Sequence, residues 1–146
     1  MNAAGAKNRR VLRQSIVRVS LWVGIIVLGL ALRRFGLGAG LPPLIVKYGG
    51  SILWGAMVFF LVAIAGPRRT RFHIALIAIL IAVAFELFRL VHTPWLDDFR
   101  LTLAGALLFG RIFSPWDILA YGVGILSALL LDRLSLVEAL VPHSPS

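Results

Sequence analysis

Charged and phenolic side chains stand inside or beside apolar segments of this sequence at helical spacing. Glu86 and Arg89 are three residues apart within "FHIALIAILIAVAFELFRLV", so one helical face presents both side chains. Charges in an apolar span are costly and normally pair, line a cavity or serve a function. This pair therefore has three interpretations: an ion pair that fixes helix packing, a lipid- or substrate-binding site, or a proton relay.

A second group begins an apolar helix in "GRIFSPWDILAYGVG". Asp117, Tyr121 and Gly124 recur at helical spacing, and Gly110 and Arg111 precede them. Ser114 is a suitable N-cap with Pro115 at the first helical position, and the helix dipole favours the Asp117 carboxylate in the first turn. Helix capping alone explains "SPWD". It does not explain the Tyr121 hydroxyl, which stands one turn deeper and needs a partner.

A third group lies at the start of another apolar segment. Lys47, Ser51, Trp54 and Gly55 form one helical stripe. Lys47 can extend to the lipid head groups without any further role. Gly50 and Gly55 lack side chains and would let another helix approach closely.

The composition places the chain among integral membrane proteins. Of the 146 residues, 60% are hydrophobic and 14% are charged, with a mean hydropathy of +0.93. The net charge is +9, but the basic residues stand mostly between apolar segments, which favours topology and anionic lipids over nucleic acid as their explanation. With no cysteine and three scattered histidines, the sequence predicts no disulfide, no metal site and no cofactor.

The apolar runs predict an all-α, polytopic helical bundle with four spans and one short re-entrant or half-spanning helix, with five spans as the alternative. A basic cytoplasmic tail, predicted to be disordered, precedes a single transmembrane domain, and an interfacial helix with a polar tail follows it. These three regions are 1–14, 15–133 and 134–146. The predicted spans are 15–32, 45–64, 72–91 and 117–131, and a polar turn is predicted at 92–100.

The topology depends on whether the segment 101–110 crosses the membrane. Its ten apolar residues make a helix of about 15 Å, which is half the thickness of a hydrocarbon core. If this segment returns to the side it came from, Asp117 joins Glu86 and Arg89, and each costly charge finds a counter-ion. We therefore predict a re-entrant segment. Nine of the fifteen basic residues then lie on the side of the N-terminus, which predicts a cytoplasmic N-terminus.

The segments "LPPLIVKYGGSILWGAMVF" and "PWLDDFRLTLAGALLFGRIFSPWDILAYGVGI" resemble an uncharacterised bacterial membrane family, a domain of unknown function over roughly residues 41–125. That family is sometimes labelled YjgA-like ribosomal maturation, a label that fits poorly with a chain this apolar. The pattern is also distantly similar to VanZ-like proteins. The residues that the resemblance marks are Lys47, Tyr48, Trp54, Glu86, Arg100, Gly110, Phe113, Asp117, Tyr121 and Gly124.

The sequence departs from the family pattern at two positions. Ser51 stands where such families tend to have an acid, and Arg89 where they tend to have glutamine. A lost acid and a gained base suggest one compensating change within a single site, a hypothesis that requires Ser51 and Arg89 to lie close together.

Together these features predict a small bacterial inner-membrane protein with a polar site in the outer leaflet. Lys47, Arg89, Arg100 and Arg111 would bind an anionic lipid or another envelope-related ligand, and Glu86 and Asp117 would orient these bases. Membrane lipids are the predicted partners, with a membrane protein or a second copy also possible. Alternatives are an accessory subunit of a larger membrane complex and an enzyme acting on lipid head groups, although no nucleophile motif, metal-ligand set or phosphate-binding loop supports the enzyme.

Overall fold

The computed structural model describes residues 3–102 and 114–140, with side chains at residues 8, 9, 11–102 and 114–134. All regular structure in these ranges is α-helical, which confirms the predicted class. We number the helices along the chain. They are α1 (Ala3–Phe35), α2 (Pro43–Ala65), α3 (Arg71–Phe88), α4 (Pro94–Leu101) and α5 (Pro115–Leu140).

Local sequence explains where the central helices begin. Gly40 adopts a φ of 80° in the turn after α1, a conformation that glycine adopts without steric cost. Pro43 then stands in the first turn of α2, where its missing N–H leaves no helical hydrogen bond unmade. Thr70 caps α3, because its hydroxyl accepts a hydrogen bond from the His73 backbone N–H.

Within the described residues, three helices are long and apolar enough to cross a membrane: Val11–Phe35, Pro43–Ala65 and Arg71–Phe88. They correspond to the first three predicted spans. The fourth predicted span, 117–131, lies within α5, which is not among these three.

Three local predictions differ from the structure. Helix α1 begins at Ala3, so the tail predicted as disordered is helical from that residue, as its alanine, arginine and leucine content favours. Helix α4 occupies most of the predicted polar turn 92–100, and α5 continues without a break to Leu140, so residues 134–140 are not a separate helix. Residues 141–146 are not described.

The polar side chains define the two ends of the bundle. At one end, which we call the Asp132 end, Arg18 of α1 and Arg71 of α3 bind Asp132 of α5. At the other, the Glu86 end, Glu86 near the C-terminus of α3 meets the start of α5. The chain therefore leaves α3 and enters α5 at the same end, as the re-entrant interpretation requires. Residues 103–113, which hold most of that segment, are not described.

Helix α2 lies at the centre of the bundle and packs against α1, α3 and α5. Small residues bring α2 and α5 into close contact, because Gly124 lies directly against the backbone of Ile52 and Gly55 against that of Tyr121. The contact aligns the polar residues of the two helices. An apolar core surrounds this contact and includes Phe59, Phe60, Ile74, Ile125 and Ala128.

Candidate polar site at the Glu86 end

Glu86 is the centre of the polar site, and its side chain is fully buried. One carboxylate oxygen, Oε1, accepts a hydrogen bond of 2.8 Å from the Ser114 backbone N–H. The other, Oε2, accepts one of 3.0 Å from the Tyr121 hydroxyl and lies 2.7 Å from Arg89 Nη1. The N-terminus of α5 thus holds the carboxylate of Glu86, which the positive end of a helix dipole favours. The buried charge is compensated by three donors from three positions of the chain.

Asp117 extends the network towards α2. Arg89 Nη1 lies 3.1 Å from Asp117 Oδ2, and Ser51 Oγ donates to Asp117 Oδ1 over 3.4 Å. The helix begins as predicted, with Pro115 first and Asp117 in the first turn. The side chain of Asp117 nevertheless joins α3 and α2 to α5. Helix capping is therefore only part of the role of this residue.

The polar stripes of α2 and α5 face each other. Beyond the contact between Ser51 and Asp117, the rings of Trp54 and Tyr121 lie 4.9 Å apart, and Trp54 also contacts Phe85 at 5.5 Å. Trp54 packs beside the tyrosine whose hydroxyl binds Glu86. The two stripes that sequence spacing separately predicted are the two sides of one interface.

Ser51 and Arg89, the two residues at which the resemblance implied a departure from the family pattern, both bind the same carboxylate, that of Asp117. An acid at position 51 would face Asp117 directly and would repel it. A serine there donates a hydrogen bond, and the arginine supplies positive charge. Ser51 and Arg89 therefore lie close together, as the hypothesis of one compensating change requires, and that hypothesis stays a prediction.

Arg100 lies outside this network, although the sequence placed it among the ligand-binding candidates. Its guanidinium is buried and donates to the backbone carbonyls of Phe88 and Val91, at 2.9 Å each, and to Asp97. Carbonyls at a helix C-terminus lack partners within the helix. Arg100 therefore fastens α4 to the end of α3, with these donors directed at the protein itself.

Of the other candidates on α2, Lys47 and Tyr48 lie nearer the surface, whereas Gly50 is buried. Lys47 is exposed and its Nζ lies 5.2 Å from the ring centre of Tyr48. Arg33 of α1, which the sequence reasoning did not include, covers Gly50: its Nε lies 3.2 Å from the position that a Cβ would occupy there. Arg111 and Gly110 lie in the part of the chain that the structure does not describe.

A second ionic cluster, at the Asp132 end, was missed by the sequence reasoning. Arg18 binds Asp132 with Nε and Nη2, at 2.8 and 3.1 Å, and donates through Nη1 to the carbonyl of Ala63. Arg71 Nε lies 3.1 Å from the same carboxylate. The available signal was an acid in the apolar run "LLLDRL" and a base in "SIVRVS", since such charges need partners on other helices.

The two ends differ in charge. Among the residues with described side chains, the Glu86 end carries five bases and four acids, whereas the Asp132 end carries seven arginines and the single acid Asp132. Within the described ranges, no group of three or more His, Cys, Asp or Glu side chains could hold a metal ion. The Glu86 end is thus a nearly balanced ionic network, and the Asp132 end is strongly basic.

A bundle of apolar helices whose buried charges pair between helices has the construction of an integral membrane protein. Residues 40–125 match the family described as "Protein of unknown function (DUF2809)", and the chain belongs to that family. The matched segment contains the entire network from Lys47 to Tyr121, whereas Arg18 and Asp132 lie outside it. No solved structure matches the chain.

Proposed function

We propose that this chain is a bacterial inner-membrane protein that holds an anionic lipid head group at the Glu86 end. The observation that carries the proposal is a set of exposed bases beside a buried, compensated network. Arg33, Arg34 and Lys47 are exposed, and none of them forms an ion pair with an acid in the described part of the chain. Bases without acidic partners at a membrane surface attract anionic head groups.

The buried network would give these bases a fixed position. Lys47 and Ser51 share one face of α2, and the single hydroxyl of Ser51 lies within hydrogen-bond distance of both the Lys47 carbonyl and Asp117. Arg89 joins Asp117 to Glu86. The acids would thus orient the start of α2 and leave the exposed bases to bind the ligand. A rigid site binds more tightly because less conformational entropy is lost on binding.

The topology that goes with this function has four spans, with α5 as the fourth, and both termini in the cytoplasm. Its support is that α5 begins beside Glu86 and ends at the Asp132 end, where the arginines concentrate. Basic residues accumulate on the cytoplasmic side of membrane proteins. The Glu86 end would then face the outer leaflet. The distant resemblance to VanZ-like proteins, which are associated with resistance to lipid-tailed glycopeptide antibiotics, fits a head-group ligand and stays a prediction.

The test is lipid binding by detergent-purified protein, measured by native mass spectrometry and thermal stability. We expect phosphatidylglycerol or a polyprenyl phosphate to bind and to raise the melting temperature, and phosphatidylcholine to do neither. The double variant Arg33→Ala/Lys47→Ala should lose the part of this binding and stabilisation that comes from the Glu86 end, because it removes two exposed bases there and no buried partner.

Arg133→Ala is the matched control, because it removes one exposed charge at the opposite end of the bundle. It should leave the binding at the Glu86 end unchanged. If no anionic lipid stabilises the protein, or if the double variant binds as well as the wild type, the proposed function is wrong.

A further inference from the structure

We propose a second ligand site at the Asp132 end, independent of the first: the turn between α2 and α3 binds the phosphate of an anionic phospholipid. Arg68 and Arg69 in the turn and Arg71 at the start of α3 would supply the donors. Guanidinium groups suit this ligand because their planar N–H groups match the geometry of phosphate oxygens.

The orientation of Arg71 is set by a buried acid. Its Nε lies 3.1 Å from Oδ2 of Asp132, whose side chain is fully buried, while the side chain of Arg71 remains 41% exposed. Asp132 is itself fixed by Arg18, which is anchored to the Ala63 carbonyl. The Nε contact uses one of the five N–H donors of Arg71. The terminal amino groups have no partner among the described residues and remain available to a ligand.

The charge balance at this end favours an anion. Asp132 carries one negative charge and contacts both Arg18 and Arg71, so the cluster keeps a net positive charge. Arg68 and Arg69 are exposed beside it, and the stem of Arg69 packs near Gly66. At the other end, the partly buried Arg89 is balanced by Glu86 and Asp117. Among the residues with described side chains, the turn thus lacks the negative charge that a phosphate would supply.

The position of the turn identifies the ligand as a lipid. It connects Pro43–Ala65 with Arg71–Phe88, two helices that are long and apolar enough to cross a membrane. Residues between two such helices lie at the level of the lipid head groups, where each base contributes about 1 kcal/mol of attraction to an anionic surface. That contribution corresponds to about a five-fold change in affinity per base.

The experiment measures how many phosphatidylglycerol molecules the full-length protein binds in nanodiscs of phosphatidylcholine, and with what affinity at each site, so that the two ends are resolved. Arg68→Ala/Arg69→Ala should weaken binding at this site by about five-fold for each base removed, without touching Asp132. Arg71→Gln should weaken it by at least about five-fold, the loss expected for one base, because it removes the oriented guanidinium. Arg133→Ala at the same end and Arg33→Ala/Lys47→Ala at the other should leave this site unchanged.

The outcomes separate this site from the one at the Glu86 end, because each double variant affects only its own site. Equal phosphatidylglycerol affinity in the wild type and in Arg68→Ala/Arg69→Ala would overturn the inference, even if Arg71→Gln proved too unstable to measure. Displacement of the lipid by glycerol phosphate at equal concentration would also overturn it, because the ligand would then be a soluble phosphate.

Discussion

Replacement of Gly124 by alanine tests the contact that brings the two polar stripes together. A Cβ on Gly124 would collide with the carbonyl oxygen of Ile52 and would lie 3.1 Å from the backbone nitrogen of Ala56. Backbone atoms of a helix cannot rotate away as a side chain can, so α2 and α5 would have to separate. Gly122, two residues earlier in the same helix, provides the matched control, because a Cβ there would have no atom within 4 Å.

The two substitutions share one energetic term and differ in another. Alanine in place of glycine stabilises a helix interior by about 0.8–1 kcal/mol at either position. Overpacking a close contact costs about 1–3 kcal/mol, and only Gly124→Ala incurs that cost. We therefore expect Gly122→Ala to be more stable than the wild type, and Gly124→Ala to be less stable than Gly122→Ala by about 1–3 kcal/mol.

The assay is reversible unfolding in mixed micelles with increasing sodium dodecyl sulfate, followed by circular dichroism and by tryptophan fluorescence. Fluorescence should also respond in the folded state of Gly124→Ala, because Trp54 packs on Tyr121 across this contact. If Gly124→Ala were as stable as Gly122→Ala, the close approach of α2 and α5 would be refuted. The alignment of Ser51 with Asp117 would lose its explanation as well.

Two further predictions concern the network and the topology. Glu86→Ala should destabilise the protein by about 3–5 kcal/mol in the same unfolding assay, which is the typical cost of removing one partner of a buried pair. The isosteric Glu86→Gln should cost less. Equal stability of the wild type and the alanine variant would show that the network contributes nothing to stability. Because the chain has no cysteine, a single introduced cysteine reports on which side of the membrane it lies. An impermeant thiol reagent should label Asp98→Cys in intact cells, and Ser144→Cys only after the cells are permeabilised. The reverse pattern would overturn the predicted orientation.

Most of the helical architecture follows from the sequence because apolar runs without internal proline have few alternatives in a membrane. Helix α2 begins and ends within two residues of its predicted span, between Pro42 and Gly66. Helix α4 was predicted as a turn. Its eight residues "PWLDDFRL" contain no long apolar run, and Arg100 ties the helix to the end of α3 through hydrogen bonds to backbone carbonyls.

The candidate site was predictable in part, for an energetic reason. Glu86, Arg89, Asp117 and Tyr121 were grouped because charges in an apolar environment require partners, and the structure brings them together. The role of Arg100 could not be deduced in the same way, because its acceptors include backbone carbonyls, and every residue of the chain carries one.

The sequence by itself determined the class of protein, the positions of the apolar helices and the identity of the charges that need partners, because hydropathy and helical spacing are properties of local sequence. Only the tertiary structure decided which partner each charge takes. Arg18 and Asp132 are 114 residues apart, and either could have paired elsewhere. Their pairing depends on how α1, α2, α3 and α5 pack, and that packing is set by contacts such as Gly124 against Ile52, which no local pattern specifies.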